Sequence, residues 1–154
     1  MVKDKLNPGC FSQDVRTRLE IARQGRPVDL DHLVRDPDEA VQQAVAEHGR
    51  PQDLNVLIIT ACFTVKKYIL FHYHRPEDKD ALISDRDWEL RMAVAECGRP
   101  VDLDRLVSDE DWAVRLAVAR RGLPRHLEIL KNDPEPYVRQ MAIARLKGKP
   151  LPKP

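Results

Sequence analysis

The sequence predicts an all-α fold, a right-handed solenoid of about five 24-residue repeats. Three observations predict the repeats. A turn signal of Gly, any residue and Pro returns every 24 to 26 residues, a pair of leucines follows it, and an Ala- and Val-rich segment precedes it. Each unit is therefore expected to pair an α-helix with a short helix of the 3₁₀ type and to bury its apolar face against its neighbours.

The turn signal ends the longer helix of each unit. Gly at a helix C-terminus takes a left-handed conformation easily, and Pro two residues later prevents the helix from continuing. The six signals are Gly25-Arg26-Pro27, Gly49-Arg50-Pro51, His74-Arg75-Pro76, Gly98-Arg99-Pro100, Gly122-Leu123-Pro124 and Gly148-Lys149-Pro150. His74 is the one place where Gly is replaced.

The leucine pair after each turn predicts the short helix. Two leucines three residues apart face the same side of one helical turn. An Asp directly before the first leucine is expected to cap this turn in four units, at Asp29, Asp53, Asp78 and Asp102. The third unit departs from the pattern, because Lys79 stands where the first leucine is expected.

The longer helix has a start signal and a clear apolar stripe. Asp36, Asp85, Asp109 and Asp133 are expected as its N-caps, because Pro follows two of them and acidic residues crowd the next turn. In one unit Leu90, Ala93, Val94 and Cys97 form the stripe of an amphipathic helix. The apolar run 56–60 is ambiguous between strand and helix, and its register in the repeat favours helix.

The repeats also fix the expected domain organisation. Residues 1–12 are expected to form an N-terminal cap, residues 13–149 a single repeat domain, and residues 150–154 a Pro-rich tail. We expect the chain to be cytoplasmic, because it has no apolar leader segment and no apolar run long enough to span a membrane.

Composition favours no chemical class of partner. The chain has 26 basic and 25 acidic side chains, a formal net charge of +1, so its overall charge does not predict a polyanionic ligand. Its three cysteines, Cys10, Cys62 and Cys97, lie far apart in sequence and form no metal-binding or redox motif. We therefore expect reduced thiols and no cofactor.

Two segments resemble the leucine-rich repeat variant family, a relative of the HEAT repeats. They are Leu90–Ala95 and Val114–Ala119, and the first is followed by the set Pro100, Leu103, Leu106 and Asp109. The resemblance covers residues 13–150 and implies α- and 3₁₀-helices that alternate in a right-handed superhelix. Some members carry an N-terminal iron-sulfur cluster, but here only Cys10 precedes the first repeat. The family has no general catalytic activity, so the resemblance implies no enzyme.

Two columns of basic residues recur with the repeat. Arg26, Arg50, Arg75 and Arg99 would line one edge and form an anion-binding stripe, unless each pairs with the Asp three residues further on, which we favour. The second column runs along the longer helices as Arg18, Lys67, Arg91, Arg115 and Arg139. We expect it to pair with the Asp residues at the starts of neighbouring helices.

An aromatic residue recurs in the first turn of three helices, at Trp88, Trp112 and Tyr137. An exposed row of this kind would be a binding surface. Its regular recurrence favours packing between repeats instead.

The third unit is the main candidate for a functional site. Bulky and aromatic residues replace its small helical face, and the residues expected to bind a partner are Phe63, Lys66, Lys67, Tyr68, Phe71, His72 and Tyr73. His72 and His74 are not expected to share a metal, because residues two apart on a helix point about 200° away from each other.

These observations favour a non-catalytic scaffold or adaptor that binds another protein. Nucleic-acid binding through the Arg and Lys columns is the alternative, and an immunity-type inhibitor of a toxin is a further possibility within the protein-binding class. No Ser-His-Asp order or phosphate-binding loop is present.

Overall fold

A computed structural model describes residues 5–148 of the chain. Over this range the protein has eleven α-helices, one 3₁₀ helix and no strand, so the predicted all-α fold is confirmed. The chain divides into two compact parts, residues 1–73 and residues 74–154, each of which contains several repeats. We call them the first unit and the second unit. The expectation of one continuous repeat domain over residues 13–149 stays a prediction.

The first unit contains a 3₁₀ helix and five α-helices. The 3₁₀ helix Pro8–Phe11 lies within the predicted N-terminal cap. It is followed by α1 Val15–Gln24, α2 Pro27–Leu33, α3 Glu39–Glu47, α4 Pro51–Thr60 and α5 Phe63–Tyr73. The ambiguous run 56–60 is helical, as its register predicted.

The second unit contains six α-helices in a strict alternation of short and long. They are α6 Pro76–Leu82, α7 Trp88–Cys97, α8 Pro100–Leu106, α9 Trp112–Arg121, α10 Pro124–Leu130 and α11 Pro136–Leu146. The predicted Pro-rich tail, residues 150–154, lies outside the described residues.

The short helices are α-helices, and the prediction of 3₁₀ geometry was wrong. In α2 the amide of Leu30 donates to the carbonyl of Arg26, four residues back, over 3.0 Å. Pro at the first position fixes φ at a helical value and needs no partner for its nitrogen. Seven residues therefore suffice for two α-helical turns.

The longer helices begin two residues later than predicted. Asp38, Asp87 and Asp111 are the observed N-caps, and each carboxylate accepts the amide of the residue two positions on. The residues predicted to be N-caps, Asp36, Asp85, Asp109 and Asp133, instead accept the amide of residues 38, 87, 111 and 135. They bend the chain into the turn before the helix.

The glycines that end the longer helices do so in two ways. Gly25 and Gly49 have φ values of 69° and 65°, the predicted left-handed cap, and His74 takes the same conformation with φ 53°. Gly98 is extended at φ −70°. A Cβ there would lie 2.5 Å from the carbonyl oxygen of Val94, so close approach of backbone explains this glycine.

Polar contacts show that neighbouring long helices run parallel within each unit. In the second unit Arg91, near the start of α7, reaches Asp109, just before α9, and Arg121 at the end of α9 reaches the carbonyl of Ala95 near the end of α7. Like ends therefore lie together, and α9 packs against both α7 and α11.

The core of each unit joins the leucines of the short helices to small side chains of the long ones. Leu103 and Leu106 of α8 are buried with Val94 of α7 and Val118 of α9. Lys79, which replaces a leucine in α6, is also buried, and its Nζ donates to the carbonyl of His74 over 3.3 Å.

Candidate functional site

Helix α5 presents two adjacent stripes of side chains. Phe63, Lys67 and Phe71 are four residues apart in sequence, and so are Thr64, Tyr68 and His72, so each set aligns along the helix. Together these six residues line an open depression of about 360 Å³. We call Phe63, Lys67, Tyr68, Phe71 and His72 the α5 patch.

Contacts between its own rings order the α5 patch. The rings of Tyr68 and His72 stack with centroids 5.0 Å apart, and Nζ of Lys67 lies 5.2 Å from the centroid of Phe63. Stacked rings and a cation over a ring face limit the rotamers of these side chains in the free protein. Lys66, also predicted in the site, is half-buried beside the patch.

A second depression of about 540 Å³ lies between α3 and α5. Thr64 and Tyr68 line it from α5, so it adjoins the α5 patch, while Asp38, Glu39 and Gln43 line it from α3. One side of this surface is therefore aromatic and basic, and the other is acidic.

Tyr73 has a structural role that the sequence did not predict. Its hydroxyl donates to the carbonyl of Ala46 over 2.6 Å and thus caps the end of α3. Burial, followed by the proximity of Tyr68, raises the pKa of Tyr73 to about 12. A Cβ at position 49 would lie 3.0 Å from the ring of Tyr73, so Gly49 leaves room for this ring.

Tyr73 belongs to a column of side chains that cap the preceding long helix. Each member stands one or more residues before the turn signal and donates to a carbonyl near the end of the previous long helix. The contacts are His48 Nε2 to Ala22 O at 2.8 Å, Arg121 Nη1 to Ala95 O at 3.2 Å and Arg145 Nη1 to Ala119 O at 3.0 Å. Because these side chains differ in chemistry, the sequence showed no recurring residue type that would have indicated this column.

The edge column of arginines pairs with carboxylates, as we favoured. The nitrogen–oxygen distances are 3.3 Å for Arg26–Asp29, 2.5 Å for Arg50–Asp53, 2.9 Å for Arg75–Asp78 and 2.8 Å for Arg99–Asp102. Hydrogen bonds to these carboxylates raise the pKa of Arg50, Arg75 and Arg99. The proposed anion-binding stripe therefore carries its own counter-charges.

Three of the five members of the column on the longer helices pair as predicted, whereas Lys67 lies over the ring of Phe63. The three ion pairs are Arg18–Asp36 at 2.7 Å, Arg91–Asp109 at 2.8 Å and Arg115–Asp133 at 2.7 Å. Burial raises the pKa of Asp133, but hydrogen bonds from Arg115 and the amide of Glu135 outweigh it and leave the pKa below its usual value. Arg139 instead donates to the carbonyls of Asp133 and Pro134.

A histidine replaces the Asp of the short helix in one repeat of the second unit. His126 is buried at the position that Asp29, Asp53, Asp78 and Asp102 occupy in the other repeats, its Nδ1 accepts the amide of Leu123, and its Nε2 contacts Asp104 over 2.7 Å. Because Nδ1 accepts, Nε2 carries the proton and donates it. Hydrogen bonds from Arg125 and then His126 lower the pKa of Asp104 to about 2.

The recurring aromatic residues are exposed, which contradicts the prediction that they pack between repeats. The exposed fractions are 40% for Trp88, 48% for Trp112 and 57% for Tyr137. Tyr137 is also one position out of register, since Trp88 and Trp112 begin their helices whereas Pro136 begins α11. The small residues of the long helices already fill the space between them, so the rings remain outside.

The cysteines and histidines form no metal site within residues 5–148, where no group of three His, Cys, Asp or Glu side chains is placed to hold an ion. Burial raises the pKa values of Cys10 and Cys97. No helix among the described residues has the length and apolar character needed to cross a membrane.

No family model, curated protein or solved structure matches this chain. The fold defines the class of protein as an all-α protein built from repeated helix pairs. The resemblance to the leucine-rich repeat variant family stays a prediction, as does the handedness of the repeats.

Proposed function

We propose that this protein is a non-catalytic scaffold that binds another protein through the α5 patch. One observation carries the proposal. At the positions of Lys67 and Phe71, helices α7 and α9 carry arginines that form ion pairs and alanines that are buried, whereas α5 places aromatic side chains around an open depression. Aromatic residues in a partly preordered patch are the residues that most often dominate protein–protein binding energy.

The charges around the patch indicate what kind of partner surface fits. The cation Lys67 lies within it, whereas Asp38 and Glu39 line the adjoining depression. A complementary surface has an apolar centre with acidic residues over α5 and basic residues over the start of α3. We therefore propose a folded protein or helix with this charge arrangement as the partner.

The alternative of nucleic-acid binding rests on Arg26, Arg50, Arg75 and Arg99. Each of these guanidinium groups already faces a carboxylate. Counter-ion release from nucleic acid requires cations that neutralise phosphates, so the observed pairing favours the protein-binding proposal. The cytoplasmic compartment stays a prediction.

The test is capture from the native host followed by reconstitution. Proteins that co-purify with the wild-type chain are identified by mass spectrometry, and the recovered partner is then titrated in purified form. We expect Phe63→Ala with Tyr68→Ala to weaken its affinity by about thirtyfold, the size of a hot-spot loss, with helicity unchanged.

Ile59→Ala is the matched control, because Ile59 is a 70% exposed apolar residue in the same unit but on α4. It should leave the affinity unchanged. Equal affinity of the wild-type chain and the Phe63, Tyr68 double variant for every captured protein would contradict the proposal.

A further inference from the structure

The second unit presents an exposed aromatic surface of its own. Trp88, Trp112 and Tyr137 stand in the first turns of α7, α9 and α11, and their rings are exposed. One turn further on, half-buried Met92 and Leu116 extend the surface of the two tryptophans. We call Trp88, Trp112 and Tyr137 the aromatic row.

The spacing of the aromatic row follows from how its helices pack. Helix α9 lies between α7 and α11, and the polar contacts between their like ends show that the three run parallel. Helices in contact have axes about 8–10 Å apart. Trp88 and Trp112 each begin their helix and are therefore expected to lie at about that distance from each other, whereas Tyr137 stands one position later and is rotated by about 100° around α11.

The surroundings of the row are acidic. Glu89, Glu110 and Glu135 lie beside the tryptophans and Tyr137 in sequence and are at least partly exposed, while Arg86 is an exposed cation on the same edge. The arginines beneath the row are already engaged, Arg91 by Asp109 and by Glu110 over 3.3 Å, and Arg115 by Asp133. The segments 85–91, 109–115 and 133–139 around the row contain eight acidic and four basic residues, and this excess of negative charge favours a cationic ligand.

We propose that the aromatic row binds an extended, proline-rich basic peptide in the polyproline II conformation. This conformation has three residues per turn and rises about 3.1 Å per residue, so one face of the peptide repeats every 9 Å or so. That repeat matches the spacing of the packed helices. In an extended strand, side chains on one face repeat about every 7 Å and fall out of step with the row.

The chemistry of each position follows from this match. A proline at every third residue places one ring on each of the two tryptophans, as in known aromatic grooves that bind polyproline II segments, and Tyr137 extends the aromatic surface at one end. Lys or Arg between the prolines can reach Glu89, Glu110 or Glu135. The conformation is preformed in proline-rich chains, so binding costs little ordering entropy.

This surface is separate from the proposed function. The aromatic row lies in residues 74–154, whereas the α5 patch lies in residues 1–73. The two proposals are therefore tested with different variants, and either can fail alone.

Intrinsic fluorescence provides a direct readout, because the chain contains two tryptophans and both lie in the row. The probe is a capped synthetic peptide of four Pro-Lys-Ala triplets, titrated into the full-length protein. We expect a saturable blue shift of the emission as the peptide covers the indoles, and a weaker affinity at higher salt. No change up to about 1 mM peptide overturns the proposal.

Two variants locate the binding surface. Trp112→Ala should weaken peptide affinity by about tenfold or more, measured by calorimetry. Ile129→Ala is the matched control, because Ile129 is a 53% exposed apolar residue of the same unit on the short helix α10, and it should change nothing. Equal losses in both variants overturn the assignment to the row.

Two further peptides test the conformation and the charge. A peptide of the same composition with its prolines grouped at one end should bind at least tenfold more weakly, as should a version with Glu in place of Lys. Equal binding of the grouped peptide overturns the polyproline II model. Equal binding of the Glu peptide overturns the charge argument, and tighter binding of a basic α-helical peptide identifies a different occupant.

Discussion

Helices α5 and α9 occupy equivalent places in the repeat but use them differently. Lys67 of α5 corresponds to Arg115 of α9, and the three buried small residues that follow on α9, Ala117, Val118 and Ala119, correspond to Ile69, Leu70 and Phe71. Arg115 binds a buried carboxylate, whereas Lys67 lies over the ring of Phe63.

Helix α9 uses these positions to pack against neighbouring helices, whereas α5 uses some of them to form an exposed surface. On α9 the basic column contributes Arg115, which pairs with Asp133 of the next helix pair, and small residues let α7 and α11 approach. On α5 the same register carries large side chains, of which Ile69 and Leu70 are buried and Phe71 is exposed. The repeat thus tolerates a local change of side-chain volume, and the change produces the α5 patch.

The largest expected effect comes from removing the ion pair of α9. Arg115→Ala leaves the carboxylate of Asp133 buried without its cation, and we expect the free energy of unfolding to fall by about 4 kcal/mol. Urea denaturation followed by circular dichroism measures the loss. Arg125→Ala breaks an exposed pair in the same unit and should have a far smaller effect. Similar losses for both variants would show that burial of the pair does not matter.

The next largest effect comes from exchanging side-chain volume between α5 and α9. Ile69→Ala should cost about 3 kcal/mol of unfolding free energy because it opens a cavity in the first unit. The reverse change, Ala117→Ile, should cost about 2 kcal/mol because it overpacks the tight contacts of α9. Denaturant titration of both variants measures the difference, and a neutral Ala117→Ile would mean that α9 does not need small residues.

The same contrast explains what the sequence could predict. Apolar spacing and the Gly and Pro turn signals predicted the alternation of helices, because these effects are local, although α4 has ten residues where a short helix was expected. The pairing of Arg91 with Asp109 was also predictable, since matched charges recurred in register. Helix starts were two residues off, because Asp side chains that form turns and those that cap helices share one signature.

The parts that sequence reasoning missed depend on tertiary contacts. The residues that cap the preceding long helix differ in chemistry from repeat to repeat, so no sequence pattern linked Tyr73 to Arg121. The exposure of Trp88 and Trp112 was also missed, because recurrence alone does not distinguish a packed column from an exposed one. In both cases the deciding fact is which neighbouring atoms are within reach.

A smaller effect is expected from the helix cap at Tyr73. Tyr73→Phe leaves the carbonyl of Ala46 without this donor, and the free energy of unfolding should fall by about 1 kcal/mol at neutral pH. The folded pKa of Tyr73, about 12, exceeds its usual value near 10, so the folded protein holds this proton more tightly. Stability from this group is complete below about pH 10 and is lost as the pH rises towards 12. Denaturation at several alkaline pH values should show a weaker decline in the Phe variant, and an identical decline would contradict the role of Tyr73.

The smallest expected effect concerns His74, where the turn signal lacks its glycine. His74 has φ 53°, in the left-handed region that Gly25 and Gly49 occupy in the first unit. A side chain there costs about 1–2 kcal/mol, whereas glycine loses about 0.5–1 kcal/mol of backbone entropy on folding. His74→Gly should therefore raise the free energy of unfolding by about 0.5 kcal/mol, since the backbone carbonyl that accepts from Lys79 is retained. Gly49→Ala is the opposite change at an equivalent turn and should destabilise the protein, because its Cβ would press on the ring of Tyr73. A destabilised His74→Gly variant would show that the histidine side chain itself contributes to the turn.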